Sequence, residues 1–382
     1  MEIEQRCWAE VNLGHLGENF QLIRQYAEKA EIIAVVKANA YGHGAVPIAR
    51  ELVSLGAKRF AVACLAEAVE LRQAGISQPV LILGYTRPEN AAVLAVNGFT
   101  AALAGPEEAR ALAAKAVEDG VRVEAHLKID TGMGRIGFCP AHDFETAISQ
   151  MEEAARLPGL SVTGAFTHFS VADSADDDDA AYTAGQFELM RRCVDRLRRD
   201  GIPLACAHCC NSAALISLPQ MQMDAVRPGI ILYGCAPSAD LPCPGLHLLM
   251  ELKATVARVK ELAPGDCVSY GRTFRAPRPM RVATLTVGYA DGYPRALSSR
   301  GVCAINGLPA PVIGRVCMDQ MMVDVTGCGP VKSGDIATVF GGPGADSVQQ
   351  AADKAGTIPH ELTCGIGARV PRVYHGGFSA EE

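Results

Sequence analysis

The chain has 382 residues, 49% of them apolar, which is too long for one small module and enough apolar material for two domains. A formal net charge of −7, with no lysine-rich stripe interleaved with aromatics, excludes a nucleic-acid partner. The opening MEIEQRCWAEV has no basic n-region or apolar h-region, no run nears the ~20 apolar residues that span a bilayer, and fourteen scattered cysteines read as reduced thiols. The expectation is a cytoplasmic protein with no membrane partner.

In chain order, short apolar runs alternate with amphipathic stretches: Ile32–Val36, Phe60–Ala63, Val80–Leu83, Phe99–Leu103, Val123–Ile129, Val162–Phe166, Leu204–Ala207 and Ala225–Val226. Stretches such as Pro106–Glu118 and Ala180–Arg199 have helical periodicity between them. Eight such units predict an eight-stranded parallel α/β (TIM-type) barrel over residues 11–240, with an open doubly wound sheet as the alternative. The run Asp176–Asp179 reads as a solvated acidic loop. Cys206-Ala-His-Cys209-Cys210 offers a lone CxxC with His208 inside it, but no second CxxC or HxxxH completes a ligand set, so no metal is expected.

Beyond residue 245 the texture changes to Val, Thr, Gly and Pro-rich segments: Lys253–Val259, Val282–Val287, Val302–Ile305, Met321–Val325 and Ile336–Phe340. Residues 241–382, with 1–10, are therefore assigned to a mostly β domain.

The first strand ends in Val36-Lys37-Ala38-Asn39-Ala40-Tyr41-Gly42-His43-Gly44. A lysine at the exit of an apolar strand sits where desolvation disfavours the ammonium, and a neutral amine is what attacks an aldehyde. A lone lysine there reads more simply as one snorkelling to the barrel rim; the adjoining Tyr-Gly-His-Gly shifts the balance toward a nucleophile.

That segment resembles the cofactor-lysine signature of the alanine racemases, and the resemblance extends over nearly the whole chain. It continues through Asp130–Gly137 (DTGMGRIG), Thr167-His168-Phe169, Asn211-Ser212, Arg227–Gly234 (RPGIILYG), Ser269–Thr273 (SYGRT), Gly288–Tyr293 (GYADGY) and Val316–Gln320 (VCMDQ). The resemblance implies pyridoxal 5′-phosphate (PLP) as cofactor and a homodimer with shared active sites, the β domain contributing to the partner's site. The implied reaction interconverts L- and D-alanine, the D-alanine serving cell-wall peptidoglycan. Removing an α-proton needs an electron sink, and returning it to either face needs two bases. The resemblance assigns these to Lys37 and to Tyr270 from the partner. It further implies Tyr41, Ser212, Gly229 and Ile230 at the cofactor phosphate, and His168 and Arg227 between the tyrosine and the pyridine nitrogen. Arg135 and the backbone of Met318 fall to the substrate carboxylate, Tyr289 to the entrance, Asp319 to a supporting place, and Lys128 to a position that many family members carbamylate. An unmodified lysine paired with a carboxylate is the plainer alternative for Lys128.

One departure stands out. The family commonly has a tyrosine before its terminal Arg-Val-Pro-Arg, and this chain has Ala368 there. The smaller side chain leaves room for serine or a broader range of amino acids as substrates. Three rival readings are weaker. Gly132–Gly137 fits GxGxxG with Glu152 and Glu153 downstream, as in a nicotinamide dehydrogenase, yet the next helix is predicted only near His142. A non-catalytic PLP carrier would not need Tyr270 or Met318. A decarboxylase on the same plan would place an acid, not Arg227, at the pyridine nitrogen.

Overall fold

The structure is a computed structural model that describes residues 6–377; the ends of the assigned β-domain segments, residues 1–5 and 378–382, lie outside the described residues. Strand β1 (Cys7–Asn12) leads directly into helix α1 (Leu13–Ala27), whose first turn is capped by the Asn12 side chain accepting from the His15 N–H. Eight strands follow: β2 (Glu31–Val35), β3 (Arg59–Val62), β4 (Val80–Ile82), β5 (Phe99–Leu103), β6 (Val123–Lys128), β7 (Leu160–Phe166), β8 (Cys206–His208) and β9 (Ala225–Val226). Each pairs in parallel with the next, and β9 returns to β2 through Glu31↔Ala225 and Ile32↔Val226, so the barrel is closed. The doubly wound alternative is thereby excluded. Because both faces of such strands are covered, the central residues of β3, β4 and β5 are buried without alternation.

The second unit comprises β10 (Met250–Leu262), β11 (Cys267–Val268), β12 (Phe274–Arg275), β13 (Met280–Leu285), β14 (Val302–Ile305), β15 (Leu308–Ile313), β16 (Met321–Asp324), β17 (Ile336–Phe340) and β18 (Arg372–His375). One eight-stranded sheet has the order β13-β16-β15-β14-β17-β10-β1-β18, and β11–β12 form a small hairpin pair. The first strand of the chain thus lies in the sheet of the last, antiparallel to β10 and parallel to β18. A shared apolar core continues from the barrel into this sheet, and a small cluster around Val268, Met280 and Val282 sits by the hairpin.

One expectation is corrected. Asp176–Asp179 is not a loop: Asp176 is the N-cap of the helix Asp177–Arg199, its carboxylate accepting from the N–H groups of Asp178 and Asp179. Carboxylates complement the positive end of a helix dipole, so an acidic run favours a helix start. Among the described residues no helix is long and apolar enough to cross a membrane.

Candidate active site

Lys37 directly follows β2 and Val36, Lys128 ends β6, His168 follows β7, Ser212 lies beyond β8, and Arg227, Gly229 and Ile230 follow β9. All of them, with Tyr41 and Arg135, line one cavity of about 570 Å³ at the C-terminal mouth of the barrel. Strand ends are where this fold gathers side chains from elements far apart in sequence.

The backbone beyond Lys37 is unusual. Ala38, Asn39, Ala40 and Tyr41 all have φ of 52–53°, a short left-handed turn built from non-glycine residues. Each such residue costs roughly 1–2 kcal/mol, so the turn persists only because its surroundings hold it. Glu67 accepts from the Ala38 N–H at 2.7 Å, the Asn39 side chain accepts from the Ala45 N–H at 2.7 Å, and Gly42 N–H closes on the Ala38 carbonyl. Lys37 and Tyr41 are thereby both directed into the cavity. Burial first, then the charge of Arg135, holds the Lys37 amine below the ordinary lysine range against the pull of Cys364 and Glu67, with Arg227 adding least.

One wall of the cavity is a close-packed polar cradle. The Gly229 N–H donates to Ser212 Oγ at 2.9 Å, and Ser212 opens a short helix capped by Asn211. A Cβ at Gly229 would lie 2.4 Å from the Tyr41 hydroxyl, so only glycine allows this approach. The Tyr41 ring rests on Tyr233, 4.8 Å between centroids, and Tyr233 is itself fixed by donating to the Val35 carbonyl at 2.9 Å.

Arg227, almost fully buried, also lines the cavity. Its Nη1 donates to His208 Nδ1 at 2.7 Å, and its Nη2 donates to the carbonyls of Thr167 at 2.7 Å and Cys209 at 3.0 Å. Because arginine only donates, His208 must carry its proton on Nε2, which faces His126 Nδ1 at 3.0 Å. His126 then bears its proton on Nε2, an atom with no hydrogen-bond partner. Burial and the Arg227 charge push His208 well below the ordinary imidazole range, and burial takes His126 down to about 3, so both rings are neutral. His168, 3.4 Å from Arg227 Nη2, is likewise held neutral, by burial first and then by Arg227, Arg135, Lys37 and Lys128.

Lys128 is buried, lies over the Phe166 ring at 5.7 Å and donates to the Ile129 carbonyl at 3.0 Å rather than to a carboxylate. Burial lowers its amine to about 8 despite the nearby Asp130. The glycine-rich loop after β6 binds a group of its own chain: the N–H groups of Gly132, Gly134 and Arg135 all donate to the Asp130 carboxylate. Those bonds outweigh burial and lower the Asp130 carboxyl. The next helix is Phe144–Arg156, so the dinucleotide reading fails: the glycines cradle Asp130 and no helix opens at the third.

The remaining sequence-selected residues do not line this cavity. Tyr270, Tyr289, Met318 and Asp319 gather on a surface of the β domain, where Tyr270 is 70% exposed and Met318 53%. The Tyr289 N–H donates to Cys317 and that of Ala290 to Met318, while a Cβ at Gly288 would strike both carbonyls. Ser269 Oγ ties the Tyr270 turn to the Arg315 carbonyl at 2.6 Å. Arg369 bridges buried Asp291 and Asp319 at 2.8 and 2.7 Å. Ala368 is exposed and outside the cavity lining.

Sequence reasoning missed three histidines. His208 was weighed only as a metal ligand, although both its ring nitrogens are engaged by Arg227 and His126. His360 lines the cavity beside Tyr41, with ring centroids 5.7 Å apart and a buried Nδ1 that has no partner. Nothing in the local pattern of His126 or His360 distinguishes them from core or helix residues.

Two family models match the chain: alanine racemase, N-terminal domain, over residues 11–237, and alanine racemase, C-terminal domain, over residues 249–374. A protein named alanine racemase from Desulforamulus reducens is 44% identical over 98% of this chain and 100% of its own length. Among solved structures, the alanine racemase of D-cycloserine-producing Streptomyces lavendulae has a TM-score of 0.92 at 33% identity, covering 100% of both chains. That of Bacillus anthracis, solved with bound L-Ala-P, has a TM-score of 0.89 at 33% identity over 100% of both chains.

Proposed function

The chain belongs to the alanine racemase family, and we propose that its barrel cavity and its exposed β-domain cluster are two halves of an active site completed between two copies of the chain. The activity is the PLP-dependent interconversion of L- and D-alanine, an isomerisation. The residues present fit this cofactor: a lysine with a lowered amine lines one cavity together with a glycine-and-hydroxyl cradle and a buried arginine. When bound, PLP supplies the electron sink that makes the α-proton labile.

Lys37 would hold the cofactor aldehyde, with Tyr41, Ser212 and the N–H groups of Gly229 and Ile230 at its phosphate. Arg227 would donate to the pyridine nitrogen and, never giving up its own proton, leave that nitrogen unprotonated; the weaker sink favours simple proton return over transamination. Lys37 Nζ, its hold on a proton weakened by burial, would take or return the α-proton on one face. Tyr270 of the partner does so on the other. A phenol is a poor base near neutrality unless its anion is stabilised. Neutral His168, whose Nδ1 faces Arg227, keeps a proton on Nε2 to donate to that oxygen. Arg135 and the Met318 N–H would receive the substrate carboxylate, Tyr289 would line the way in, and Asp319 would steady the loop through Arg369. A Lys128 amine at about 8 keeps a neutral fraction able to add carbon dioxide, and the resulting carbamate would orient Arg135. We place the reaction in the cytoplasm, consistent with fourteen free cysteines, with its D-alanine destined for peptidoglycan.

The single observation carrying this reading is the convergence of Lys37, Tyr41, Ser212, Arg227 and Gly229 on one cavity. The test is a circular-dichroism time course on PLP-loaded protein given L-alanine or L-serine in deuterated water. Loss of optical activity with deuterium at the α-carbon is expected for alanine. Equal or faster turnover of serine would move the assignment to a serine enzyme, and no turnover of either would remove it.

A further inference from the structure

His15 and Glu18 lie three residues apart on α1 and so share a face, while His247 arrives on the segment that leads into β10. None of them has a part in the chemistry above. One ligand atom from each lies within 4.8 Å of the others, and among the described residues no other three metal-ligating side chains are so grouped. The imidazole centroids are 5.3 Å apart, and Glu18 Oε2 is 3.5 Å from His247 Nε2.

The surroundings fix the His15 ring and the backbone of His247. His15 Nδ1 is 2.8 Å from the Leu248 carbonyl and must donate to it, leaving the lone pair on Nε2. Metal-bound imidazoles are commonly fixed in this way, one nitrogen on a backbone carbonyl and the other on the ion. His247 is held by buried Asn19: its N–H donates to Asn19 Oδ1 at 2.8 Å, and Asn19 Nδ2 donates back to its carbonyl at 2.8 Å. The third ligand is thus set against the helix that carries the other two.

We propose that His15, Glu18 and His247 bind one divalent transition-metal ion, with water completing the shell. Two imidazoles and a carboxylate suit zinc, cobalt or nickel and do not suit magnesium or calcium, which prefer all-oxygen shells. Bonds of about 2.0–2.1 Å need ligand atoms closer than they stand here, and the exposed Glu18 and His247 side chains are free to close that gap. The site lies where the chain crosses twice between barrel and β sheet, at Asn12–Leu13 and Leu248–Met250, which are joined by the Asn12 N–H to the Leu249 carbonyl at 2.9 Å. An ion held there ties both crossings together.

The test titrates cobalt chloride, then zinc chloride, into the full-length holoenzyme without an affinity tag, read by calorimetry, visible absorption and thermal unfolding. Expected are one ion per chain, a nitrogen–oxygen cobalt spectrum without the intense sulfur-to-cobalt band, and a raised unfolding midpoint. His247→Ala and, separately, Glu18→Gln should weaken binding by roughly tenfold or more and abolish the midpoint shift while leaving metal-free racemisation unchanged. No saturable binding, binding indifferent to both substitutions, or a sulfur band placing the ion on exposed Cys64, Cys139 or Cys364 would overturn the proposal.

Discussion

The barrel mouth and the β-domain surface both carry sequence-selected residues, and they are built in opposite ways. Around Lys37 and Arg227 the side chains converge on one cavity, Arg227 is buried and bonded within the chain, and burial leads the shifts of Lys37 and His168, with the neighbouring charges adding to it. Around Tyr270 the side chain stands in solvent on a turn where Ser269, Gly271 and Arg272 all have positive φ. A large aromatic held out on a strained backbone gives its own chain little burial, so its use lies outside that chain. The contrast is between a cavity built from buried groups of its own chain and an exposed cluster that the proposed function assigns to a second copy.

The sharpest way to break that contrast is to disable each half in a separate chain. Lys37→Ala should abolish racemisation and borohydride fixation of the cofactor, whereas Tyr270→Phe should keep the fixation and lose roughly 10²–10⁴-fold in turnover, unequally for the two enantiomers. If two copies share the sites, unfolding and refolding the inactive variants together restores about a quarter of the wild-type sites, because each mixed dimer has one site with both bases intact. No recovery on mixing would show that each chain works alone.

A second test probes how far the barrel half is strained by its own burial. Unmodified Lys128, at about 8, is protonated in both folded and unfolded states below that pH and neutral in both above the ordinary lysine value of 10.5. Between these values the unfolded chain binds more protons, so stability rises with pH, by at most about 1.4 kcal/mol per unit. Urea unfolding at stepped pH should show this slope in wild type and lack it in Lys128→Met. Identical slopes would mean the amine does not titrate there, as a carbamate would not.

Smaller effects test the cradle and the rim. Gly229→Ala should push the Tyr41 hydroxyl aside and weaken PLP binding by about five- to tenfold, the worth of roughly one hydrogen bond, measured by absorbance titration of the apoenzyme. Ala368→Tyr should lower turnover of serine relative to alanine by a few-fold at most, given how weakly a pocket rejects one added group. An unchanged ratio would remove Ala368 from specificity, in keeping with its exposed position.

The barrel was legible because its strands are apolar and regularly spaced; all eight runs became strands, displaced by no more than two residues. Other elements were hidden for identifiable reasons. β15 reads Leu-Pro-Ala-Pro-Val-Ile, and its prolines stand opposite β14 where β16 pairs only with Val312 and Ile313, so the missing N–H groups remove few ladder bonds. β18 owes its form to a parallel neighbour some 360 residues away, which no local window can register. Of the cavity, the lining residues that lie in specific motifs were readable. His126 and His360 were not, because neutral buried imidazoles leave no spacing or composition signal.

The left-handed turn at Ala38–Tyr41 also bears on the order of events in folding. A conformation that costs several kcal/mol in isolation is scarcely populated in an unfolded chain, and here it is held by Glu67 and Asn39, so it sets only once its neighbours are in place. An incompletely folded chain therefore presents Lys37 as an ordinary solvated lysine, with no depressed amine and no aligned Tyr41. The arrangement of Lys37 and Tyr41 toward the cavity is thus a property of the closed barrel and not of the local sequence.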